Sequence, residues 1–123
     1  MHVLLDTLNE LLDAADLATI SGVVSWAARR LVDADGATVV LRCGSDCQYV
    51  GEDADSALWR GRAFPAHICV SGLAMRSGQP VVIPDIHTDA RVPRDLYDGT
   101  FVQGLALVPD GPPAPSLAIG AYW

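Results

Sequence analysis

The sequence predicts one α+β domain built around an antiparallel sheet. Three observations lead there. Helical periodicity is confined to the first 34 residues and to two short middle stretches. Strand–turn–strand patterns stand on either side of that middle. No regular alternation of strand and long helix, the mark of a parallel sheet, runs through the chain. At 123 residues, half of them apolar, the chain can bury a core without disulfides or metals and is too apolar to stay disordered.

Residues 3 to 15 predict an amphipathic helix. Leu4, Leu5, Leu8, Leu11, Leu12 and Ala15 fall at helical spacing, with Asp6, Asn9, Glu10 and Asp13 mostly between them. A second helix is expected over about 17 to 34. Its apolar stripe is Ile20, Val23, Val24, Ala27, Ala28, Leu31 and Val32, and Gly36 is its stop. The Thr19–Gly22 stretch leaves open one kinked helix or two, because glycine disfavours helix interiors. Ala37–Cys43 is rich in β-branched residues, and Gly44-Ser45-Asp46 then turns the chain into Cys47–Gly51, a hairpin. Residues 52 to 61 are polar and acidic, with Trp59 near their end, and read as a loop or one helical turn. Gly61–Ala66 predicts a short extra strand.

Ser71–Ser77 predicts a short helix stopped by Gly78. Pro80 opens Val81-Val82-Ile83, an apolar run expected of a strand buried on both faces, and Pro84 ends it. Residues 85 to 92 read as a loop, and Pro93 suits the first turn of a helix over 93–98. Phe101–Pro109 predicts a strand with Leu105 and Leu107 on one face. The stretch DGPPAP at 110–115 is a turn that cannot be helix or inner strand. Ser116–Trp123 predicts the last strand, with Leu117, Ile119 and Ala121 on one face.

A formal net charge of −7 disfavours nucleic acid and an anionic membrane surface as partners, since both need a basic footprint. No apolar run has the length of a membrane-spanning helix, and the N-terminus lacks the pattern of a signal peptide. Three cysteines, Cys43, Cys47 and Cys69, make a poor disulfide framework and suit a reducing cytoplasm.

The run SGLAMRSGQPVVIPDIHTDARVP at 71–93, followed by TFVQGLALVP at 100–109 and AIGAYW at 118–123, resembles the GAF domains of bacterial sensor histidine kinases and related signalling proteins. The resemblance spans nearly the whole chain. It implies a GAF-like, PAS-related sheet with core strand order 2-1-5-4-3. It places the N-terminal helices on one face and puts short helices and loops over the other, enclosing a pocket. It further implies a single domain over 1–123, with helices in 1–35 and the covered sheet in 36–123. The C-terminal output helix of such sensors is absent from this sequence. Cys69 is followed by Val70 where bilin-binding GAF domains have a Cys-His pair, so bilin attachment is not supported and the cofactor is unknown. The Asn-Lys-x-Asp-Glu motif of cyclic-nucleotide-binding GAF domains has no counterpart here.

Nine residues are candidates for the pocket: His67, Cys69, Ser71, Asp85, Ile86, Asp89, Arg91, Tyr97 and Phe101. Cys69 beside a helix N-terminus reads either as a reactive thiol or as a small buried apolar residue. Cys43 and Cys47 flank a tight turn, where their side chains could approach and, with Cys69 or His67, bind zinc. His67 and His87 read as pocket donors, haem ligands or structural hydrogen-bonders. Asp85, Asp89 and Arg91 could orient an anionic or polar ligand, or pin their own loop. Tyr97 and Phe101 read as pocket lid or core, and Trp26 as a half-exposed contact residue. The Leu stripe at 4–15 suggests a homodimer through the N-terminal helices.

These readings together predict a sensory or regulatory domain and not an enzyme. Its small-molecule ligand would sit beneath residues 64–101 and control an effector such as a histidine kinase. Two alternatives stay open: a dimerisation scaffold without a ligand, and a thiol redox enzyme of the GAF-type methionine sulfoxide reductase class.

Overall fold

The computed structural model describes residues 17–110 and 116–123. Helix α1 (Leu17–Leu31) precedes the hairpin of β1 (Gly36–Cys43) and β2 (Asp46–Ala54). Then come β3 (Ala63–Pro65), α2 (Val70–Ser77), β4 (Val81–Ile83), a 3-10 turn (Ile86–Thr88), α3 (Arg94–Tyr97), β5 (Leu105–Asp110) and β6 (Leu117–Tyr122). The strands form one antiparallel sheet in the order β3-β2-β1-β6-β5-β4. The helix expected at 3–15 and most of the DGPPAP turn lie outside the described residues.

Two layers flank the sheet. Helix α1 packs on β2, β1 and β6, while α2 packs on β5, β6, β2 and β4. The core sits between the sheet and the α2 side, where Val40, Tyr49, Ile83, Leu105, Leu107 and Tyr122 are buried together. Burial of this apolar face is the main stabilising contribution.

Helix α1 meets the sheet through an unexpected face. Its fully buried positions are Ser21 and Ser25, whereas Val23, Leu31 and Val32 from the predicted apolar stripe are exposed. Small side chains let the helix approach closely. A Cβ on Gly51 of β2 would lie 2.5 Å from Ser21 Cβ. The helix also ends earlier than Gly36. Asp33 adopts φ 52°, and the Asp33 and Ala34 amides donate to the Arg30 and Arg29 carbonyls. Asp tolerates this left-handed conformation better than most residues. Arg29 and Arg30 lie in the last turn, where cations favour the helix dipole. Arg29 pairs with Asp53 and Asp55, and Arg30 with Asp53, tying the helix end to β2.

Strand β2 runs three residues past the predicted end, and a bulge explains how. Val39 pairs with Gly51 and Val40 with Tyr49, leaving Val50 as the extra residue. A bulge of this kind re-aims the side chains that follow it. Cys47 and Tyr49 face the covered side before it. After it, Gly51 and Asp53 face α1, while Glu52 reaches the covering loop. Residues 52–54, the start of the acidic stretch expected in a loop, are therefore strand residues with alternating duties.

Two further boundaries differ. β4 is an edge strand with Val82 62 % exposed, so its apolar run is not buried on both faces. β5 begins at Leu105 because the Gln103 and Gly104 amides both donate to the Trp123 carbonyl, closing the sheet end beforehand.

Candidate functional site

The segment from β3 to α3 lies over the core face of the sheet, and its arrangement starts with Glu52. One Glu52 carboxylate oxygen accepts from the Trp59 and Arg60 amides at 2.7 and 3.0 Å, and the other accepts from Leu58 at 2.9 Å. Three consecutive backbone donors around one anion fix the loop. Trp59 is thereby held over the sheet, and its indole N–H donates to the Leu96 carbonyl at 3.0 Å. The Trp59 ring meets Tyr49, Tyr97 and Tyr122 edge-on at centroid distances of 5.5, 5.0 and 5.2 Å. Phe64 adds an edge contact to Tyr49 at 5.6 Å. The face expected to enclose a pocket is filled here by this aromatic cluster.

The polar ends of the cluster are paired. Tyr49 Oη and Ser71 Oγ are 2.8 Å apart, joining β2 to α2, and Tyr122 Oη and Thr38 Oγ1 are 2.9 Å apart. Burial pushes the phenols of Tyr49, Tyr97 and Tyr122 above their ordinary range, so all three stay neutral.

Two thiols are buried in the same cluster as these rings. They are Cys47 on β2 and Cys69 at the N-cap of α2. The Cys47 thiol on the facing strand lowers that of Cys69, and burial opposes this. The Gly72 amide and the nearby Arg76 charge also favour a Cys69 anion, although Gly72 makes no full capping hydrogen bond. The Cys47 thiol is pushed up by Cys69 first and burial second. The turn before Cys69 is clamped: Arg76 donates to the Ala66 carbonyl at 2.5 Å, and Gly72 packs so closely that its Cβ would lie 1.8 Å from Ala66 O. Cys43, by contrast, is exposed at the hairpin tip. The sequence left an approach of Cys43 to Cys47 open, whereas the structure exposes Cys43 and buries Cys47.

The nine candidate residues divide by position. Cys69, Ser71, Ile86 and Tyr97 are buried beneath the cover, and Phe101 is partly buried against the cluster. His67, Asp85 and Arg91 are exposed. Asp85 accepts from the His87 amide at 2.9 Å and so caps the 3-10 turn. Asp89 binds Arg91 through its amide and guanidinium, at 2.7 to 2.9 Å. That contact holds the Asp89 carboxyl down at about 2. These geometries make a self-pinned loop.

Trp59, Tyr49 and Cys47 belong to the site but were not among the nine pocket candidates, Cys47 having been weighed only as a zinc ligand. Cys47 and Tyr49 alternate along an apolar face, which is a legible strand signal. Trp59 carries no such signal, since Glu52 places it. An open groove of about 580 Å³ lies outside the cover, lined by Leu17, Gln48, Tyr49, Val50, Arg60 and Arg62.

No family model and no curated protein matches the chain. Solved structures do. The GAF domain of an Acinetobacter phosphoenolpyruvate-protein phosphotransferase is similar at TM-score 0.72 and 11 % identity, over 99 % of this chain and 78 % of that one. The A. aeolicus nlh2 GAF domain in an inactive state is similar at TM-score 0.71 and 15 % identity, over 97 % and 78 %. This chain has the GAF fold.

The GAF fold also corrects one expectation. Free methionine-R-sulfoxide reductase from Neisseria meningitidis, solved with its substrate, is similar at TM-score 0.70 and 12 % identity, over 96 % of this chain and 70 % of that one. The expectation of a non-enzyme does not stand, because an enzyme shares this GAF fold. Among the described residues, no helix is long and apolar enough to cross a membrane.

Proposed function

We propose that this GAF-fold chain is a sensory or regulatory module of a signalling protein, acting on an effector such as a histidine kinase. One observation carries the reading: β2 touches both layers. Tyr49 binds Ser71 of the cover, and two residues on, past the Val50 bulge, Gly51 lies beneath Ser21 of α1. A change in the cover therefore reaches α1 through a single strand. The input in this reading is a small molecule that binds beneath residues 64–101 by displacing part of the aromatic cluster. Such a ligand shifts the module only by binding its two arrangements unequally. A thermal-shift screen of small polar metabolites, followed by hydrogen exchange on each hit, tests this. A ligand slowing exchange both in residues 63–102 and in Leu17–Leu31 supports it, and protection of the cover alone contradicts it.

The outer layer supports a homodimer. Val23, Trp26, Leu31 and Val32 expose an apolar helix face, and Arg30 stacks over the Trp26 ring at 4.1 Å. Light scattering should show a dimer that Leu31→Glu converts to a monomer. A monomeric wild-type protein at high concentration overturns it.

Two free, buried cysteines in one core cluster, Cys47 on β2 and Cys69 at the start of α2, favour a second reading, a thiol reductase of free methionine sulfoxide. Turnover of free methionine-R-sulfoxide with dithiothreitol, lost in Cys69→Ser, would establish it. Absence of turnover removes it.

A further inference from the structure

All eight basic side chains of this chain are arginines, and most are engaged within the protein. Arg29, Arg30 and Arg91 pair with aspartates. Arg42, Arg76 and Arg94 donate to backbone carbonyls. Arg60 and Arg62 differ. Among the described residues, neither guanidinium has a carboxylate or carbonyl partner. Both arginines line the open groove of about 580 Å³ that lies outside the cover.

The backbone beneath these two side chains is fixed. The Arg62 amide donates to the Trp59 carbonyl at 2.9 Å and closes a β-turn. Gly61 stands at its third position with φ 86°, the left-handed region that a type II turn requires there. The Gly61 amide donates to the Tyr49 carbonyl, and the Tyr49 amide donates to the Arg62 carbonyl, both at 2.9 Å, which ties the turn to β2. The Arg60 amide donates to Glu52 at 3.0 Å. Glu52, the acid of this turn, is turned onto three backbone amides. Arg62 also lies over the Phe64 ring, 4.9 Å from its centroid, a contact that uses none of its N–H donors. Two firmly based arginines without an acceptor in the protein, at one groove, leave their donors to an external anion.

We propose that this groove binds a small organic oxyanion, a carboxylate or phosphate attached to an apolar body. Arg60 and Arg62 hold the oxyanion, since a guanidinium fork donates two N–H groups to its paired oxygens. The side-chain amide of Gln48, without a hydrogen-bond partner among the described residues, lines the same groove and serves a polar substituent. Leu17, Val50 and Ala63 supply apolar wall for the body. The volume falls within the about 300 to 1,000 Å³ of small-molecule sites. The net charge of −7 repels an extended polyanion, so a local pair of cations selects a compact anion. The site lies outside the cover and does not rest on the regulatory reading.

The test is an NMR titration of the isotope-labelled protein with phenyl phosphate, benzoate and inorganic phosphate at fixed ionic strength. Saturable shifts are expected at the amides of residues 48–50 and 60–63 and at the Arg60 and Arg62 side-chain N–H signals. At least one aromatic anion should bind more tightly than inorganic phosphate. Binding of phenyl phosphate alone identifies a phosphate head group, and binding of benzoate alone a carboxylate. Both arginines are exposed, so substitution leaves the core intact. Arg60→Gln and Arg62→Gln should each weaken binding about tenfold. Arg94→Gln removes the same charge outside the groove and should leave binding unchanged. Shifts that do not saturate, that appear equally at the other arginines, or that survive both substitutions overturn the proposal. Saturable shifts beneath residues 64–101 with a silent groove overturn it too, while favouring the ligand site of the regulatory reading.

Discussion

The Glu52 carboxylate holds Trp59 by its backbone, accepting the Trp59 amide at 2.7 Å while also binding the amides on either side. The indole that closes the aromatic cluster is thus placed by an acid on the facing strand. Replacing Glu52 with Ala leaves three amides without that acceptor. We expect a loss of about 2 kcal/mol in chemical denaturation, with a red shift of tryptophan fluorescence. Unchanged stability and emission would show that the ring packing alone fixes the loop.

Gly51 and Ser21 define how closely α1 approaches the sheet. Gly51→Ala puts a methyl 2.5 Å from Ser21 Cβ and 2.6 Å from its carbonyl oxygen. A cost of about 2 kcal/mol is expected from such overpacking. Ser21→Ala should do the opposite. Among the described residues Ser21 Oγ is buried without a hydrogen-bond partner, so its removal should raise stability by about 1 kcal/mol. A destabilised Ser21→Ala protein would mean that the hydroxyl is satisfied in solution.

Tyr49 and Ser71 should be coupled. Tyr49→Phe or Ser71→Ala alone leaves one buried hydroxyl unpaired, at about 1 to 2 kcal/mol each. The double variant should cost less than the sum. Strict additivity in a denaturation cycle would rule out the hydrogen bond.

Asp89 gives a pH signature. Arg91 lowers its folded carboxyl to about 2 from the ordinary 3.8. A depressed carboxyl adds stability above its unfolded value, and that stability is lost as pH falls through the folded value. The loop at 85–92 should therefore hold its pairing at pH 3 and lose it near pH 2. Carbon-detected titration by NMR should place Asp89 near 2, and Arg91→Gln should return it toward 3.8. An Asp89 midpoint near the ordinary value in the wild-type protein would show the pair to be absent in solution.

Much of the fold was legible because local chemistry marks it. Gly78 stops α2 in the left-handed conformation at φ 65°, as the pattern Ser77-Gly78 predicted. The hairpin at Gly44-Ser45 and the strand at 117–122 follow from turn residues and alternation. What the sequence hid depends on contacts between distant residues. Glu52 and Asp53 read as loop because nothing local announces a bulge at Val50 or the partners Arg29 and Arg30. The apolar stripe of α1 does not mark its most buried positions, which are Ser21 and Ser25 because Gly51 allows a close approach. The burial of Cys47 and Cys69 in one core cluster joins separate elements, and no spacing rule reaches it.

Passage of a change from the cover to α1 through β2 is tested most directly by native-state hydrogen exchange on Ser71→Ala. The control is a variant of matched global stability at the far sheet edge, Val81→Ala. Release of Tyr49 from α2 should speed exchange in residues 20–28 roughly tenfold beyond the control, a sub-global effect of about 1.4 kcal/mol. Equal exchange in the two variants would show that the cover and the helix are uncoupled, and would contradict the regulatory reading.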